Sequence, residues 1–139
     1  MKDSYLDNVF SLKGKVCLVT GASRGIGFGI AEAFHHAGAE VFGVGRTPAK
    51  NVSSKWNYIS CDVTNSEAML ALLKKISEDG HKLNVLVNAA GITNPSKAEN
   101  TLTKFKKTLD VNLVAVYEIC SSAIPYLKGS DGGSIINIT

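Results

Sequence analysis

The stretch that decides the fold runs Val16-Cys17-Leu18-Val19-Thr20-Gly21-Ala22-Ser23-Arg24-Gly25-Ile26-Gly27. An apolar run of strand length stops at a glycine-rich turn, and a helical pattern begins directly after it. A strand, such a turn and a helix in this order form a phosphate site, because the positive N-terminal end of the helix points at the ligand. The alternative is a turn and a helix start that hold no ligand.

The three glycines of this stretch have separate roles. Gly21 lets the chain turn sharply off the strand, Gly25 lets backbone N–H groups approach a pyrophosphate, and Gly27 allows the helix to pack closely on the strand. With Thr20 and Ile26, their spacing resembles the Thr-Gly-x-x-x-Gly-Ile-Gly signature of the short-chain dehydrogenase/reductase family. The resemblance implies a nicotinamide dinucleotide bound by Gly21, Ser23, Arg24, Gly25, Ile26 and Gly27.

The composition describes one globular domain. The chain has 139 residues, of which 45% are hydrophobic and 19% charged, and its formal net charge of +3 is too small to indicate a nucleic-acid partner. No apolar run is long enough for a membrane span and no signal-peptide pattern is present, so we expect no membrane partner and a cytoplasmic location. Three cysteines without metal or disulfide spacing indicate buried free thiols and no metal site: Cys17, Cys61 and Cys120.

Strand and helix patterns alternate along the rest of the chain. Further strands are predicted over residues 40–44, 56–61, 83–87 and 134–138, and helices over 25–37, from the Thr64-Asn65-Ser66-Glu67 capping box to Gly80, and over 101–127. The crossover over 47–55 is too short for a full helix, and 92–100 is a polar loop. This order predicts an α/β fold, a doubly wound parallel (Rossmann-like) sheet with ligands at the carboxyl ends of its strands.

Cofactor choice depends on the end of the second strand. In dinucleotide-binding folds an acidic residue there accepts a hydrogen bond from the ribose 2′-hydroxyl. This chain has Gly45 followed by Arg46, which removes a repelling carboxylate and supplies a guanidinium suited to a 2′-phosphate. Arg24 could reach the same phosphate. We therefore predict NADP(H) in preference to NAD(H), the alternative being that both arginines are ordinary surface charges.

Two further strand ends resemble cofactor motifs of the family. Asp62-Val63 is similar to an Asp-Val pair that contacts the adenine ring, and Asn88-Ala89-Ala90-Gly91 to Asn-Asn-Ala-Gly, with Ala89 in place of the second Asn. The resemblance implies that all six residues bind the cofactor. The alternatives are an aspartate in a turn before a helix cap and a simple turn at a strand end.

Asn112 is the candidate catalytic residue. It lies on an apolar stripe with helical spacing, which consists of Leu102, Phe105, Leu109, Asn112, Val116 and Cys120. Asp110-Val111-Asn112-Leu113 resembles the family segment whose Asn joins Ser, Tyr and Lys in an active-site tetrad, where it helps to hold water in a proton relay. The alternative is a buried structural Asn bonded to neighbouring backbone.

The remaining tetrad members have no counterpart in these 139 residues. Residues 132–139 match the strand that leads into the catalytic Ser, and none of the tyrosines has Lys four positions later. The resemblance thus covers the cofactor half of the family domain: residues 1–9 are a leader, and 10–139 are a dinucleotide-binding domain that is truncated after the fifth strand and incomplete at its C-terminal end.

The family's reaction is the interconversion of a carbonyl and a secondary alcohol by hydride transfer, and the motifs are most similar to 3-oxoacyl-carrier-protein reductases. We expect no turnover from the 139 residues alone. Two alternatives are an inactive fragment that binds nucleotide or a partner, and an interrupted reading frame. A fifth strand at the sheet edge would expose Ile135, Ile136 and Ile138, so we expect self-association or poor solubility of the chain, and a homo-oligomer as partner state.

Overall fold

The structure is a computed structural model that describes residues 5–53, 55–93 and 101–139. Its helices are α1 (Tyr5–Phe10), α2 (Gly25–His36), α3 (Ser66–Glu78), α4 (Thr101–Leu109) and α5 (Ala115–Lys128). Its strands are β1 (Val16–Thr20), β2 (Glu40–Gly45), β3 (Asn57–Ser60), β4 (Leu83–Asn88) and β5 (Ser134–Asn137). A 3₁₀ turn spans Ala49–Asn51, and a π turn at Asp110–Val114 joins α4 to α5. From residue 94 onward, the predicted loop over 92–100 lies outside the described residues.

One parallel sheet organises these elements. Its five strands follow the order β3-β2-β1-β4-β5, so the direction of winding reverses between β1 and β4. Thr20 and Asn88 are register partners at the carboxyl ends of those two strands. A ligand crevice forms at such a switch point. The predicted doubly wound α/β fold is confirmed.

Helices cover both faces of the sheet, which explains why its central strand β1 is apolar and buried on both sides. Successive side chains of β1 point to opposite faces, and all five of its residues are buried. Leu18 packs in a core with Met69 and Leu86, which belong to α3 and β4. Val19 packs in the other core with Ala31 of α2.

The short crossover between β2 and β3 is filled by an aromatic side chain. Among the described residues of this crossover the one helical element is the 3₁₀ turn, and the buried Trp56 ring lies against Gly43. A Cβ on Gly43 would overlap Trp56, so glycine is required at this position of β2. The indole Nε1 donates a hydrogen bond to Glu32 Oε1 of α2. The indole thus covers part of the sheet that a longer crossover helix would cover.

The predicted burial of the 101–127 helix is wrong. Leu102, Phe105 and Leu109 are exposed, and the residues that pack into the core are Val111, Ala115, Ile119, Ala123 and Leu127. The helix has two apolar faces, and the one with the smaller residues lies against the sheet. The π turn also interrupts the regular spacing on which the stripe was based.

Two smaller predictions also need correction. The cap of α3 is Asn65, whose Oδ1 accepts from the Ala68 amide at 3.0 Å, while Thr64 donates to Asp62. Of the cysteines, Cys17 is buried, and Cys61 and Cys120 are half-buried. Burial raises the pKa of the Cys17 thiol to about 11.

The N-terminal segment carries the short helix α1, with Tyr5 and Phe10 exposed. The division into a leader over 1–9 and a domain over 10–139 stays a prediction. Among the described residues, no helix has the length and apolar character needed to cross a membrane.

Candidate functional site

A cleft of about 640 Å³ opens at the carboxyl ends of the strands. It brings together twelve of the residues predicted to bind the cofactor: Gly21, Ser23, Arg24, Gly25, Ile26, Gly27, Arg46, Asp62, Val63, Ala89, Ala90 and Gly91. Gly45 also lines the cleft. Four more residues line it that the sequence did not point to: Thr47, Cys61, Ile92 and Val111. Each of the four is the immediate sequence neighbour of a predicted site residue, and this adjacency is the one sequence feature that could have assigned them to the site.

The glycine-rich turn has the geometry that its spacing predicts. Gly21 has a φ of 67°, and a Cβ there would lie 2.7 Å from Ala89 O. Gly27 is buried, and a Cβ on it would lie 2.7 Å from the carbonyl carbon of Gly21. Gly25 differs, because its φ is 61° but no atom lies within 4 Å of a Cβ built there. Gly25 therefore faces open cleft.

The first turn of α2 leaves its amide groups available to a ligand. The N-cap residue Arg24 has extended backbone and makes no side-chain capping bond. By contrast, Asn65 caps α3 with its own side chain. The first N–H groups of a helix have no partner within the helix, and the helix dipole makes that end positive. The uncapped end of α2 is therefore suited to an anion such as a pyrophosphate.

Thr20 links the glycine-rich turn to the end of β4. Its buried Oγ1 accepts hydrogen bonds from the amides of Ala89 and Ala90, each at 3.2 Å. On the other side, the Ala22 amide donates to Val44 O at 2.9 Å. The walls of the cleft from β1, β2 and β4 are thereby fixed relative to one another.

Asp62 lines the cleft, where a cofactor-binding residue is predicted. It also forms the turn before α3, which is the structural alternative for this residue. Its Oδ1 accepts from the Thr64 amide at 2.9 Å and from Thr64 Oγ1 at 2.8 Å, which is the turn before α3. The Thr64 backbone amide is the main cause that holds the pKa of Asp62 below its usual range, with smaller contributions from the charges of Arg46 and Lys107. Arg46 is thus close enough to Asp62 to interact with it, and both line the cleft.

Asn88 is the one predicted cofactor residue that does not line the cleft. Its buried side chain donates through Nδ2 to Asn137 Oδ1 at 2.9 Å and to Cys120 Sγ at 3.3 Å. The side chain thereby joins β4 to β5 and α5. Contact between Asn88 and a cofactor stays a prediction.

Asn112 lies in the π turn, and its side chain is exposed rather than buried. Its Oδ1 accepts from the Ile92 amide and its Nδ2 donates to Ile92 O, both at 2.9 Å. These two bonds to backbone are what the alternative interpretation of Asn112, a structural residue bonded to backbone, predicts. They anchor the segment after β4 beside the cleft, while a catalytic role of Asn112 stays a prediction.

Comparisons with known proteins agree with this arrangement. The short chain dehydrogenase family matches residues 15–139. L-fucose dehydrogenase of Oryctolagus cuniculus is 40% identical over 134 residues, which are 91% of this chain and 46% of that protein. The 3-oxoacyl-(acyl-carrier-protein) reductase FabG of Chlamydia muridarum is 33% identical over 139 residues, which are 92% of this chain and 56% of that protein. The chain spans about half the length of these relatives.

Solved structures show the same likeness in three dimensions. The ligand-free aldohexose dehydrogenase of Thermoplasma acidophilum superimposes with a TM-score of 0.85 at 38% identity, over 92% of this chain and 50% of that one. The 2-keto-3-deoxy-D-gluconate dehydrogenase of Streptococcus agalactiae gives 0.79 at 34% identity, over 97% and 55%. The glycine-rich turn, the switch-point cleft and these matches together mean that the chain belongs to the short-chain dehydrogenase/reductase family.

Proposed function

We propose that this chain binds NADP(H) and forms the cofactor-binding part of an oxidoreductase that interconverts a carbonyl and a secondary alcohol. The observation that carries the proposal is the uncapped N-terminus of α2, which opens into the cleft beside Gly25. The space around Gly25 and the free amides suit a pyrophosphate. Membership of the family supports nicotinamide chemistry at this site.

Each wall of the cleft has a role in this proposal. The glycine-rich turn and the start of α2 hold the pyrophosphate, Asp62 and Val63 lie against the adenine, and residues 89–91 allow close approach of a ribose. Arg46, with Arg24, binds the 2′-phosphate. When bound, the nicotinamide supplies or accepts the hydride. Asn112 holds the segment beyond Gly91 through Ile92, and we propose that it also serves the proton relay.

Changing Arg46 to Asp is expected to reverse the nucleotide preference. The wild-type chain should bind NADPH more tightly than NADH, because the guanidinium makes a charge-assisted contact with the 2′-phosphate. Loss of that contact is worth about 1.5–3 kcal/mol, so NADPH affinity should fall about tenfold to a hundredfold. Titration followed by nicotinamide fluorescence measures both affinities.

The matched control is Lys50→Asp, which makes the same charge change in the 3₁₀ turn, outside the residues that line the cleft. This variant should keep the wild-type order of affinities. An unchanged ratio of the two affinities in Arg46→Asp would contradict the proposed phosphate contact.

The substrate is proposed only as a small carbonyl or alcohol compound. The relatives bear names as different as L-fucose dehydrogenase, tropinone reductase homolog and 3beta-hydroxysteroid dehydrogenase, at similar identities to this chain. Cofactor binding is therefore the part of the function that the described residues support best. We further propose a cytoplasmic location, which the free cysteines support.

We also propose that the protein is a homo-oligomer. The outer face of the segment that runs from α4 through the π turn to α5 carries a stripe of exposed apolar side chains: Leu102, Phe105, Leu109, Leu113, Tyr117 and Ile124. An apolar stripe of this length is typical of an interface. A second copy of the same stripe, related by a two-fold axis, would cover it.

Tyr117→Asp is expected to lower the oligomeric state, because it places a charge in the proposed interface. Light scattering at several protein concentrations measures the mass. Leu70→Asp is the control, since Leu70 is an exposed leucine of α3 that is not part of the stripe, and this change should leave the mass unchanged. A monomeric wild-type protein at high concentration would refute the proposal.

A further inference from the structure

A tyrosine hydroxyl occupies the space in which a side chain at position 45 would have to lie. A Cβ built on Gly45 would be 2.6 Å from Tyr58 Oη, 3.2 Å from Ser23 Cβ and 3.3 Å from Ser23 Oγ. Gly45 has ordinary strand geometry within β2 and no positive φ, so its backbone does not explain the need for glycine. The tightest contact comes from Tyr58, and the Ser23 side chain adds to it.

The Tyr58 hydroxyl is held in place from several sides. It donates a hydrogen bond to Thr47 O at 3.0 Å. The ring meets the buried Trp56 edge-on, with centroids 6.1 Å apart. The hydroxyl can therefore move away from Gly45 only if it gives up these contacts.

The Tyr58 hydroxyl lies beside the part of the cleft where we propose that Arg46 and Arg24 bind the 2′-phosphate. Ser23, Gly45, Arg46 and Thr47 line the cleft, and the Tyr58 hydroxyl lies directly behind them. A carboxylate at position 45 would bind a ribose 2′-hydroxyl and repel a 2′-phosphate. With Tyr58 in place, the Cβ of such a residue would lie 2.6 Å from the hydroxyl, so the tyrosine would have to move to admit it.

We propose that Tyr58 is a specificity-determining residue, whose hydroxyl keeps position 45 free of side chains and so keeps the cleft selective for nucleotides with a 2′-phosphate. This inference rests on the proposed NADP(H) binding and names the group that enforces it. It implies that Gly45→Asp alone does not make the site bind NADH. Gly45→Asp combined with Tyr58→Phe should make the site bind NADH. Phenylalanine keeps the ring against Trp56 and removes only the obstructing oxygen.

The first arm of the test is independent of nucleotide. Gly45→Ala adds one methyl group and is expected to lower the Tm by about 5 °C in the wild-type background, since overpacking is destabilising. In the Tyr58→Phe background the same change should lower the Tm by less than half as much. Equal losses in the two backgrounds would show that the hydroxyl does not obstruct position 45, and would overturn the proposal.

The second arm measures NADPH and NADH affinity by nicotinamide fluorescence for the wild type, Gly45→Asp, Tyr58→Phe and the double variant. Gly45→Asp should lose NADPH binding without gaining NADH binding. The double variant should bind NADH at least about tenfold more tightly than Gly45→Asp does. If Gly45→Asp alone binds NADH as well as the double variant does, Tyr58 is not a determinant.

The two arms separate the inference from the function on which it rests. A wild-type chain that binds neither nucleotide refutes the proposed function, and the specificity role falls with it. If the wild-type chain binds NADPH but the effects of the changes at positions 45 and 58 are additive in both arms, only the role of Tyr58 is refuted. Coupled Tm values without a gain in NADH affinity would make Tyr58 a packing residue and would also overturn the specificity role.

Discussion

Gly27→Ala is expected to cost the chain a large part of its folding stability. A Cβ at this position would overlap the carbonyl group of Gly21, whose carbon would be 2.7 Å away, and Thr20 O would be 3.0 Å away. All of these are backbone atoms of β1 and the glycine-rich turn, so no side chain can rotate to make room. We expect a loss of about 3 kcal/mol or more, which is a substantial share of the stability of a typical domain. Denaturant unfolding measures it.

Gly29→Ala is the matched control for this prediction. Gly29 lies in the same helix, is exposed, and has no atom within 4 Å of a built Cβ. Alanine favours helix, so this variant should be as stable as the wild type or more stable by up to about 1 kcal/mol. If both variants unfold at the same denaturant concentration, close packing at Gly27 is not what requires a glycine there.

Gly25→Ala separates stability from ligand binding within the same turn. Its Cβ would meet no protein atom, so the cost to folding is limited to backbone strain at a φ of 61°, about 1–2 kcal/mol. The methyl group would nonetheless stand where we propose that the pyrophosphate approaches. Comparison with Gly27→Ala therefore tests whether the two glycines have the different roles that their surroundings indicate.

The second large effect concerns turnover. We expect the 139 residues by themselves to bind NADPH and yet show no measurable carbonyl reduction. None of their tyrosines is followed by Lys at the family spacing, and general acid–base assistance is typically worth about 10²–10⁴ in rate. The assay is NADPH oxidation in the presence of small ketones and β-ketoacyl thioesters. Turnover that depends on substrate would contradict our assignment of the catalytic groups.

A chimera provides the positive arm of that experiment. Residues 1–139 joined to the remaining half of the rabbit L-fucose dehydrogenase should gain turnover of that relative's substrate, because the added half supplies the Ser and the Tyr-x-x-x-Lys that the resemblance implies. Changing the added Tyr to Phe should remove the activity without affecting NADPH binding. Asn112→Ala in the chimera tests the proposed relay, with Asn112→Asp as a variant that retains the oxygen acceptor for the Ile92 amide.

Local patterns predicted the fold and most of the cleft because parallel strands bring their carboxyl ends to one place. Glycine spacing correctly predicted the close packing at Gly27, since that packing depends on a missing side chain. Orientation along the 101–127 helix could not be predicted in the same way. Both of its faces are apolar, and the choice of Ala115 and Ile119 over Leu109 depends on how closely the helix approaches the sheet, which is a tertiary property.

The surroundings of Asn112 and the cap of α3 show the same limit. Asn112 satisfies its amide through Ile92, a partner twenty positions away along the chain, and the π turn changes the direction in which it points. Thr64 and Asn65 are both competent helix caps, and the choice between them follows from the bond between Thr64 and Asp62. Tyr58 was missed because its relation to Gly45 exists only across neighbouring strands.

The indole between β2 and α2 gives the protein an internal optical reporter. Trp56 is the single tryptophan of the sequence, and its ring is packed against Gly43, Phe28 and Tyr58. Its emission therefore comes from one site, without contributions from other indoles. A shift of that emission to longer wavelength would follow water entry at the edge of the sheet, and energy transfer to a reduced nicotinamide would register binding without any label. Both signals can be read from the unmodified chain in one cuvette.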